Sequence, residues 1–459
     1  MNEIILRDYQ EIGVENIRKS LKAGYKAPLF VLPTGGGKTI IFSYIAKSVK
    51  SKQKKVLILV HRIELLKQAV KALVGSNVGI INPKFTPNFH ANIQVASVQT
   101  LVNRMNLYSH FDLIIIDEAH HSVSNTYKKI IDNYNTTILG VTATPIRGDG
   151  KGLGKDSGGC FDDLIVGSTV KQLIAKKNLV EPKIYSTPNK IDLSGIKKKG
   201  SDYDKEELSI EFDKPSITGN AVIEWNKICK NTLTVVFCIN VLHAQHVANE
   251  FTANGISSKS IDGTMNDIER NQILSDFEKG KILVLTSVDL VGEGFDLPKI
   301  GAIIMLRPTL STGLYIQQVG RVLRPCDGKD FGYILDHVGN YEIHGSPTMD
   351  REWSLDGELK TNKKTKQEKT LKLKQCESCY HIHEPALECP ECGFKYEVKV
   401  RNIVHKEGEL VEIKEQEIQQ KLDLKKEVAK ARTLEELQRI ANQRNYKEGW
   451  AKHVLESRK

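Results

Sequence analysis

Pro33-Thr34-Gly35-Gly36-Gly37-Lys38-Thr39 lies between an apolar run, Leu29-Phe30-Val31-Leu32, and a helical pattern. A strand that turns through glycines into a helix start is the setting of a phosphate-binding loop. Glycines let backbone N–H groups face an anion, and the helix N-terminus favours its charge. In such a loop Thr34, Gly35, Gly36 and Gly37 would surround the phosphates of ATP. Lys38 would reach the β- and γ-phosphates, and Thr39 Oγ would ligate Mg²⁺. Leu32 occupies the position where such loops usually start with glycine.

Working outward from the loop, short apolar runs alternate with helical patterns as far as about His344. The first set is Leu29–Leu32, Val56–Val60, Ile93–Ala96, Leu113–Ile116 and Ile138–Val141. The second is Val235–Cys238, Ile282–Leu285, Ala302–Met305 and Tyr333–Leu335. Runs without polar alternation read as strands covered on both faces, so the fold class is α/β with two parallel-sheet domains. The expected limits are 1–185 for the first domain, 186–215 for a hinge region and 216–345 for the second. Then follow a basic linker at 346–374, a four-cysteine ribbon at 375–396 and a helical segment at 397–459. The polar stretch around Lys197 to Asp202 reads as the hinge or an excursion beside it.

The chain has 459 residues, 40% of them hydrophobic, and a formal net charge of +10. Length allows two or three full cores, and the positive balance permits a polyanionic partner. No apolar run is long enough to span a bilayer, and the start lacks an export pattern, so a cytoplasmic protein without membrane contact is expected. Four of the 8 cysteines form two CxxC pairs, Cys376/Cys379 and Cys389/Cys392. Paired cysteines in a reducing compartment read as Zn²⁺ ligands, and four of them leave no open position for catalysis. His381 and His383 lie between the pairs, as substitute ligands, exposed side chains or nucleic-acid contacts. The lysines from Lys360 to Lys374 read equally as a solvated linker or a phosphate-contacting strap.

Asp117 and Glu118 follow the run Leu113–Ile116. Asp117 would hold Mg²⁺, and Glu118 would orient and deprotonate a water. The phosphate loop, Asp117-Glu118-Ala119-His120, Thr142-Ala143-Thr144-Pro145 and Gln317-Gln318-Val319-Gly320-Arg321-Val322-Leu323-Arg324 come in the order that resembles superfamily 2 helicases of the DEAH type. The resemblance covers the chain to about His344 and implies two tandem RecA-like domains. It implies that Leu6-Arg7-Asp8-Tyr9-Gln10 reads adenine, with Gln10 pairing the base and Arg7 stacking on it. It implies nucleotide contacts from Gly294 and Asp296, and a coupling role for Thr142 to Pro145. Gln317 would touch the γ-phosphate or its water. Arg321 and Arg324, one turn apart on a helix, would meet the triphosphate, Arg321 at the γ-phosphate and Arg324 as the finger. Strand contacts fall on His61, Arg62, Ser97, Gln99, Thr100, Thr286 and Ser287, whose short polar groups suit sugar and phosphate and carry little sequence preference.

The cysteine pairs after such a core, Ile334 to Asn340 leading to His344-Gly345, and Asn445 to Trp450 resemble RadD-type bacterial DNA-repair helicases, with related phage and restriction-type helicases sharing much of the core. Thr433-Leu434-Glu435-Glu436 reads as a capping box opening a helix with Leu437, Ile440 and Ala441 on one face. The resemblance implies an ATP-dependent DNA helicase or translocase in repair or recombination, with a single-strand-binding or recombination protein as candidate partner. The rival readings are a DNA-binding accessory factor that uses ATP as a switch and an RNA helicase.

Overall fold

A computed structural model describes residues 4–147, 150–186, 193, 196–200, 202–213, 215–288, 295–357, 374–376, 378, 382–383, 386, 388–395 and 433–443. The first sheet has seven parallel strands in the order β3-β4-β2-β5-β6-β1-β7. They are β1 (Pro28–Val31), β2 (Val56–Val60), β3 (Val78–Ile81), β4 (Ile93–Ser97), β5 (Leu113–Asp117), β6 (Thr137–Thr142) and β7 (Asp163–Val166). Helices α1 (Asp8–Lys22), α2 (Lys38–Lys50), α3 (Ile63–Ala72), α4 (Val98–Leu101), α5 (Asn125–Tyr134) and α6 (Val170–Ala175) accompany it.

The second sheet has six strands in the order β12-β13-β11-β14-β15-β8. It takes β8 (Glu181–Ser186), β11 (Thr234–Phe237), β12 (Ser258–Ile261), β13 (Val284–Ser287), β14 (Ala302–Met305) and β15 (Phe331–Asp336). A small hairpin, β9 (Lys198–Lys199) with β10 (Asp202–Tyr203), lies between β8 and β11 in the chain. Helices α7 (Lys205–Phe212), α8 (Pro215–Ile228), α9 (Val241–Ala253), α10 (Asp267–Glu278), α11 (Thr312–Val319) and α12 (Asn340–His344) follow. The two parallel sheets are the RecA-like pair expected.

The interior strands β1, β2, β4, β5, β11, β13 and β14 are buried at every position, which is why they read as unbroken apolar runs. Each fully buried Val, Leu or Ile contributes about 1.5–3 kcal/mol relative to exposure. Strands β3, β7, β8 and β12 gave no such run. All four stand at sheet edges and mix buried positions with partly or fully exposed ones.

The chain leaves the first sheet after Val166 and enters the second at Glu181, so β8 pairs with β15 ahead of the boundary expected at 185/186. The Lys197–Asp202 stretch is an excursion of the second domain. The Asp202 carboxylate accepts from Leu310 N at 2.7 Å, Thr309 Oγ1 at 2.9 Å and Arg307 Nη2 at 3.3 Å. After α12 the chain returns to the first domain. Gly154 N donates to Leu355 O at 2.9 Å, and Trp353 and Leu355 pack on the core around Leu153 and Phe161. A Cβ on Gly152 would stand 1.8 Å from Leu355 O, so only glycine allows this approach.

The ribbon pairs β16 (Lys374–Gln375) with β17 (Ile382–His383), and Glu391 meets Lys183 of β8 at 2.9 Å. The stretch 397–459 forms a separate compact unit, whose described part is the helix Leu434–Gln443. Its capping box forms as expected. Thr433 N donates to Glu436 Oε2 at 3.1 Å, Glu436 N donates to Thr433 Oγ1 at 3.3 Å, and Leu437, Ile440 and Ala441 are buried. Asn445 to Trp450 and Lys360 to Lys372 lie outside the described residues.

Candidate active site

The loop after β1 takes its shape from two left-handed glycines, Gly35 at φ +84° and Gly37 at φ +85°. Leu32 is fully buried beneath it, and a Cβ on Gly36 would sit 2.8 Å from Leu32 Cγ. The side chain at the missing first glycine therefore turns down into the core and leaves the loop surface clear. Tyr9 Oη and Gln10 Nε2 donate to Gly36 O at 2.9 and 3.3 Å, and Arg7 N donates to Gln10 Oε1 at 2.9 Å. Gln10 thus holds the loop from below, with its amide committed to backbone groups rather than turned to a base. Arg7 stands at the cleft. Lys38 opens α2, and its Nζ donates to Leu32 O at 3.3 Å. Burial works against the Lys38 charge, while Glu118 and Asp117 support it.

Asp117 ends β5, and Glu118 follows in the left-handed region at φ 49°, a conformation costing about 1–2 kcal/mol for a residue with a Cβ. Glu118 N donates to Asp117 Oδ1 at 3.0 Å. Burial, then the neighbouring Glu118, pushes the Asp117 carboxyl above the usual carboxylate range. Glu118 Oε2 is buried without a hydrogen-bond partner among the described residues, with His120 Nδ1 3.5 Å away. Two adjoining acids with an unsatisfied oxygen beside a phosphate loop fit a divalent cation with its waters, as Mg²⁺ requires. His120 Nδ1 also lies 3.1 Å from Thr142 Oγ1, which donates to Thr144 O at 3.0 Å. A Cβ on Gly313, in α11 of the second domain, would stand 3.2 Å from Thr144 Oγ1. The stretch expected to couple the domains therefore touches both.

The opposite wall comes from the second domain. Ser311 Oγ caps α11 by accepting from Leu314 N at 3.2 Å. The α-helix ends at Val319, because Arg321 N and Val322 N donate to Gln318 O and Val319 O, three residues back. Arg321 and Arg324 therefore sit in a tight turn after the helix, a correction to the helical placement expected. Arg321 Nη1 donates to Phe295 O at 2.6 Å, Arg324 Nη1 reaches the same oxygen at 3.4 Å, and Arg324 pairs with Asp296. A Cβ on Gly320 would lie 2.4 Å from Thr34 Cβ, and one on Gly35 would lie 3.2 Å from Arg324 Cγ. The walls meet, enclosing a cleft of about 670 Å³. Thr34, Gly35, Gly37, Lys38, Thr39, Asp117 and Glu118 face Asp296, Arg321 and Arg324 across it. That volume is in the range of small-ligand sites. Gln317 is buried outside this lining, and Gly294 lies outside the described residues. Gln68, Lys71, Asn178 and Pro298 also line the cleft. No motif pointed to them, since each stands alone in sequence.

The expected strand contacts divide. His61 and Arg62 follow β2, Ser97 ends the neighbouring β4, and Gln99 and Thr100 follow it. Ser97 Oγ donates to Gln99 Oε1 at 2.8 Å, and Gln99 Nε2 reaches His61 O at 3.4 Å. The His61, His121 and His120 rings follow one another with centroids 4.2 Å apart. Thr286 and Ser287 instead end the interior strand β13 and are fully buried, with Thr286 Oγ1 donating to Ala244 O at 2.7 Å. Both are buried on both faces of the sheet here, unlike His61, Arg62, Gln99 and Thr100 on the first domain.

In the ribbon, Cys376, Cys389 and Cys392 bring their sulfurs within 4.8 Å of one another. Cys376 and Cys392 Sγ are 3.6 Å apart, far beyond a disulfide and close to the roughly 3.8 Å edge of a tetrahedron with Zn–S bonds of about 2.3 Å. Three thiols so placed fit Zn²⁺. Cys379 and His381 lie outside the described residues, and His383 is buried in β17 rather than exposed.

Residues 3–147 match the family of the type III restriction enzyme res subunit, and residues 220–326 match the helicase conserved C-terminal domain. A 51.5 kDa protein of a Lactococcus phage (isolate 7-9) is 31% identical over 93% of this chain and 98% of its own length. The putative ATP-dependent helicase IRC3 of Saccharomyces cerevisiae is 34% identical over 75% of this chain, which spans only 53% of that protein. Among solved structures, a fragment of a putative HsdR subunit of a type I restriction enzyme from Vibrio vulnificus shares the fold. Its TM-score is 0.59 at 21% identity, covering 74% of this chain and 67% of that one. No described helix is long and apolar enough to cross a membrane.

Proposed function

We propose a DNA motor for this chain, which belongs to the superfamily 2 helicases and is related within them to phage and restriction-type helicases. It is an ATP-hydrolysing enzyme of that family. The observation that carries the motor reading is the single cleft into which one domain presents a phosphate loop and the other two arginines. ATP bound there draws the domains together, and hydrolysis releases them, which gives a step along a strand.

In this reading the loop glycines and Lys38 hold the phosphates, and Thr39 and Asp117 hold Mg²⁺. Glu118 orients the water and takes its proton, and Arg324 and Arg321 stabilise the charge of the transferring phosphoryl group. Gln317 joins only if closure turns it inward. Arg7 faces the adenine side, with Gln10 as its support. His61, Arg62, Ser97, Gln99 and Thr100 take the sugar–phosphate backbone. The net charge of +10 and the match to a restriction-enzyme subunit support DNA as the track. Repair or recombination, with a single-strand-binding partner, is the role the RadD-type resemblance supports. A cytoplasmic setting belongs to the proposal because it keeps the ribbon thiols reduced for Zn²⁺. The domain limits proposed are those set out above, except that the second domain begins with β8 at Glu181 and the Lys197–Asp202 stretch belongs to it.

The test is ATPase activity with single-stranded DNA, duplex, fork and RNA side by side, for wild type, Glu118→Gln and Arg324→Ala. DNA should stimulate most, and each variant should lose about a thousandfold or more. Greater stimulation by RNA would move the track to RNA, and a near-wild-type variant would remove that residue from the mechanism. For the ribbon, one Zn²⁺ per chain is expected by metal analysis, and a zinc-free protein that stays folded in chelator would sink the metal site.

A further inference from the structure

We propose that Lys329 is a positioning residue for the arginine wall, stapling the loop that carries Asp296 to the backbone of Arg324. Its Nζ donates to Pro298 O at 3.1 Å, Ile300 O at 2.5 Å and Arg324 O at 2.8 Å. An ammonium has three donors, so its hydrogen-bonding capacity is fully used. All three acceptors are backbone carbonyls. Among the described residues no carboxylate pairs with Lys329.

The placement explains why this matters to the cleft. Phe295 O and Asp296 hold Arg321 and Arg324 at the beginning of the 295–300 loop. Lys329 grips the same loop further on, and grips the carbonyl of Arg324 itself. Loop and arginine are thus tied twice, once through the guanidinium and once through the main chain. The first tie must open for Arg324 to reach a triphosphate. The second does not involve the guanidinium, so it persists while the side chain turns and keeps the Arg324 backbone in register with the loop. Gly328, at φ +75°, makes the turn that brings Lys329 back under the loop, with Lys329 N donating to Cys326 O at 3.0 Å. A lysine held this way gives up its rotamer freedom, and neutral partners leave Asp296 for the arginine.

The inference rests on the reading that Arg321 and Arg324 meet the triphosphate. Its test uses the full chain with Lys329→Met, which keeps length without donors, and Lys329→Arg, which keeps charge and donors. The measurements are kcat for ATP and equilibrium affinity for a non-hydrolysable ATP analogue. Lys329→Met should lower kcat by about tenfold to a hundredfold while affinity stays within about twofold, as expected when a catalytic group is misplaced rather than removed. Lys329→Arg should recover part of the rate. The proposal is overturned if Lys329→Met keeps kcat within about twofold, or if affinity and kcat fall together with Lys329→Arg equally damaged. Should Lys329→Met fail to fold, Lys329→Gln is judged by the same outcomes. Arg324→Ala is measured alongside. If it is fully active, the reading of the cleft falls and this inference with it. If it is inactive while Lys329→Met is normal, only this inference falls.

Discussion

The phosphate-loop wall of the cleft is shaped by backbone, whereas the arginine wall is shaped by side chains held on a loop. On the first wall, Gly35 and Gly37 fix the path, and Tyr9 and Gln10 secure Gly36 from beneath. The loop path is set before phosphates arrive, and only the Lys38 side chain, on Leu32 O, has a contact to extend or exchange. On the second wall, Arg321 and Arg324 already have partners, Phe295 O and Asp296. They must exchange these for a triphosphate. A charge-assisted, bidentate arginine–phosphate contact is stronger than the Arg321–carbonyl one, and the Arg324–Asp296 pair is exposed on its acidic side and screened, so the exchange runs toward the nucleotide. The contrast assigns binding to the preformed wall and switching to the exchangeable one.

The sharpest way to break this contrast is at Gly320, where the walls touch. A methyl group there would face Thr34 Cβ at 2.4 Å, well inside the 3.5–4.0 Å optimum for carbon atoms. The neighbour is the root of a side chain and cannot swing aside, so Gly320→Ala must push the walls apart. A displacement of about 1 Å can cost about a hundredfold in rate, so kcat should fall by about that factor. Nucleotide affinity, which belongs to the other wall, should hold within about threefold. Thr34→Gly removes the opposing carbon and should restore part of the rate in the double variant, although it loosens the loop. A Gly320→Ala enzyme with normal kcat would show that hydrolysis does not need this contact.

Both walls were legible in the sequence, but not how each is held. Gly35 to Thr39, Asp117, Glu118, Arg321 and Arg324 announced themselves because phosphate chemistry demands those residue types at those spacings. Gln10 was read as pairing adenine, and its amide here bonds Arg7 N and Gly36 O, because a loop-holding amide and a base-reading amide look identical in sequence. Thr286 and Ser287 were read as strand contacts and are buried here, since a hydroxyl at the end of an interior strand carries no mark of burial. The turn carrying the arginines continued a helical pattern, and only its hydrogen bonds to residues three back distinguish it. Interior strands were visible as unbroken apolar runs, while the four unforeseen strands of the two large sheets are edges that mix buried with solvent-facing positions. Lys329 had no signal at all, because its partners are carbonyls and every residue has one.

The smallest expected effect separates two roles for Asp296. The resemblance made it a nucleotide contact, and the structure gives it to Arg324. Its side chain is 56% exposed, so the ion pair is worth about 0–1 kcal/mol after screening. If Asp296 contacts the nucleotide, Asp296→Ala should weaken ATP binding. If it restrains Arg324, the variant frees a cation and removes a negative charge from the cleft, and binding should tighten. The ion pair favours the second outcome, with affinity for a non-hydrolysable ATP analogue rising by about twofold to fivefold at low salt. The gain should shrink as salt screens the exposed carboxylate, whereas lost hydrogen bonds to a nucleotide would persist in high salt. A weaker affinity at every ionic strength would return Asp296 to the nucleotide and leave Phe295 O as the principal restraint on the arginines.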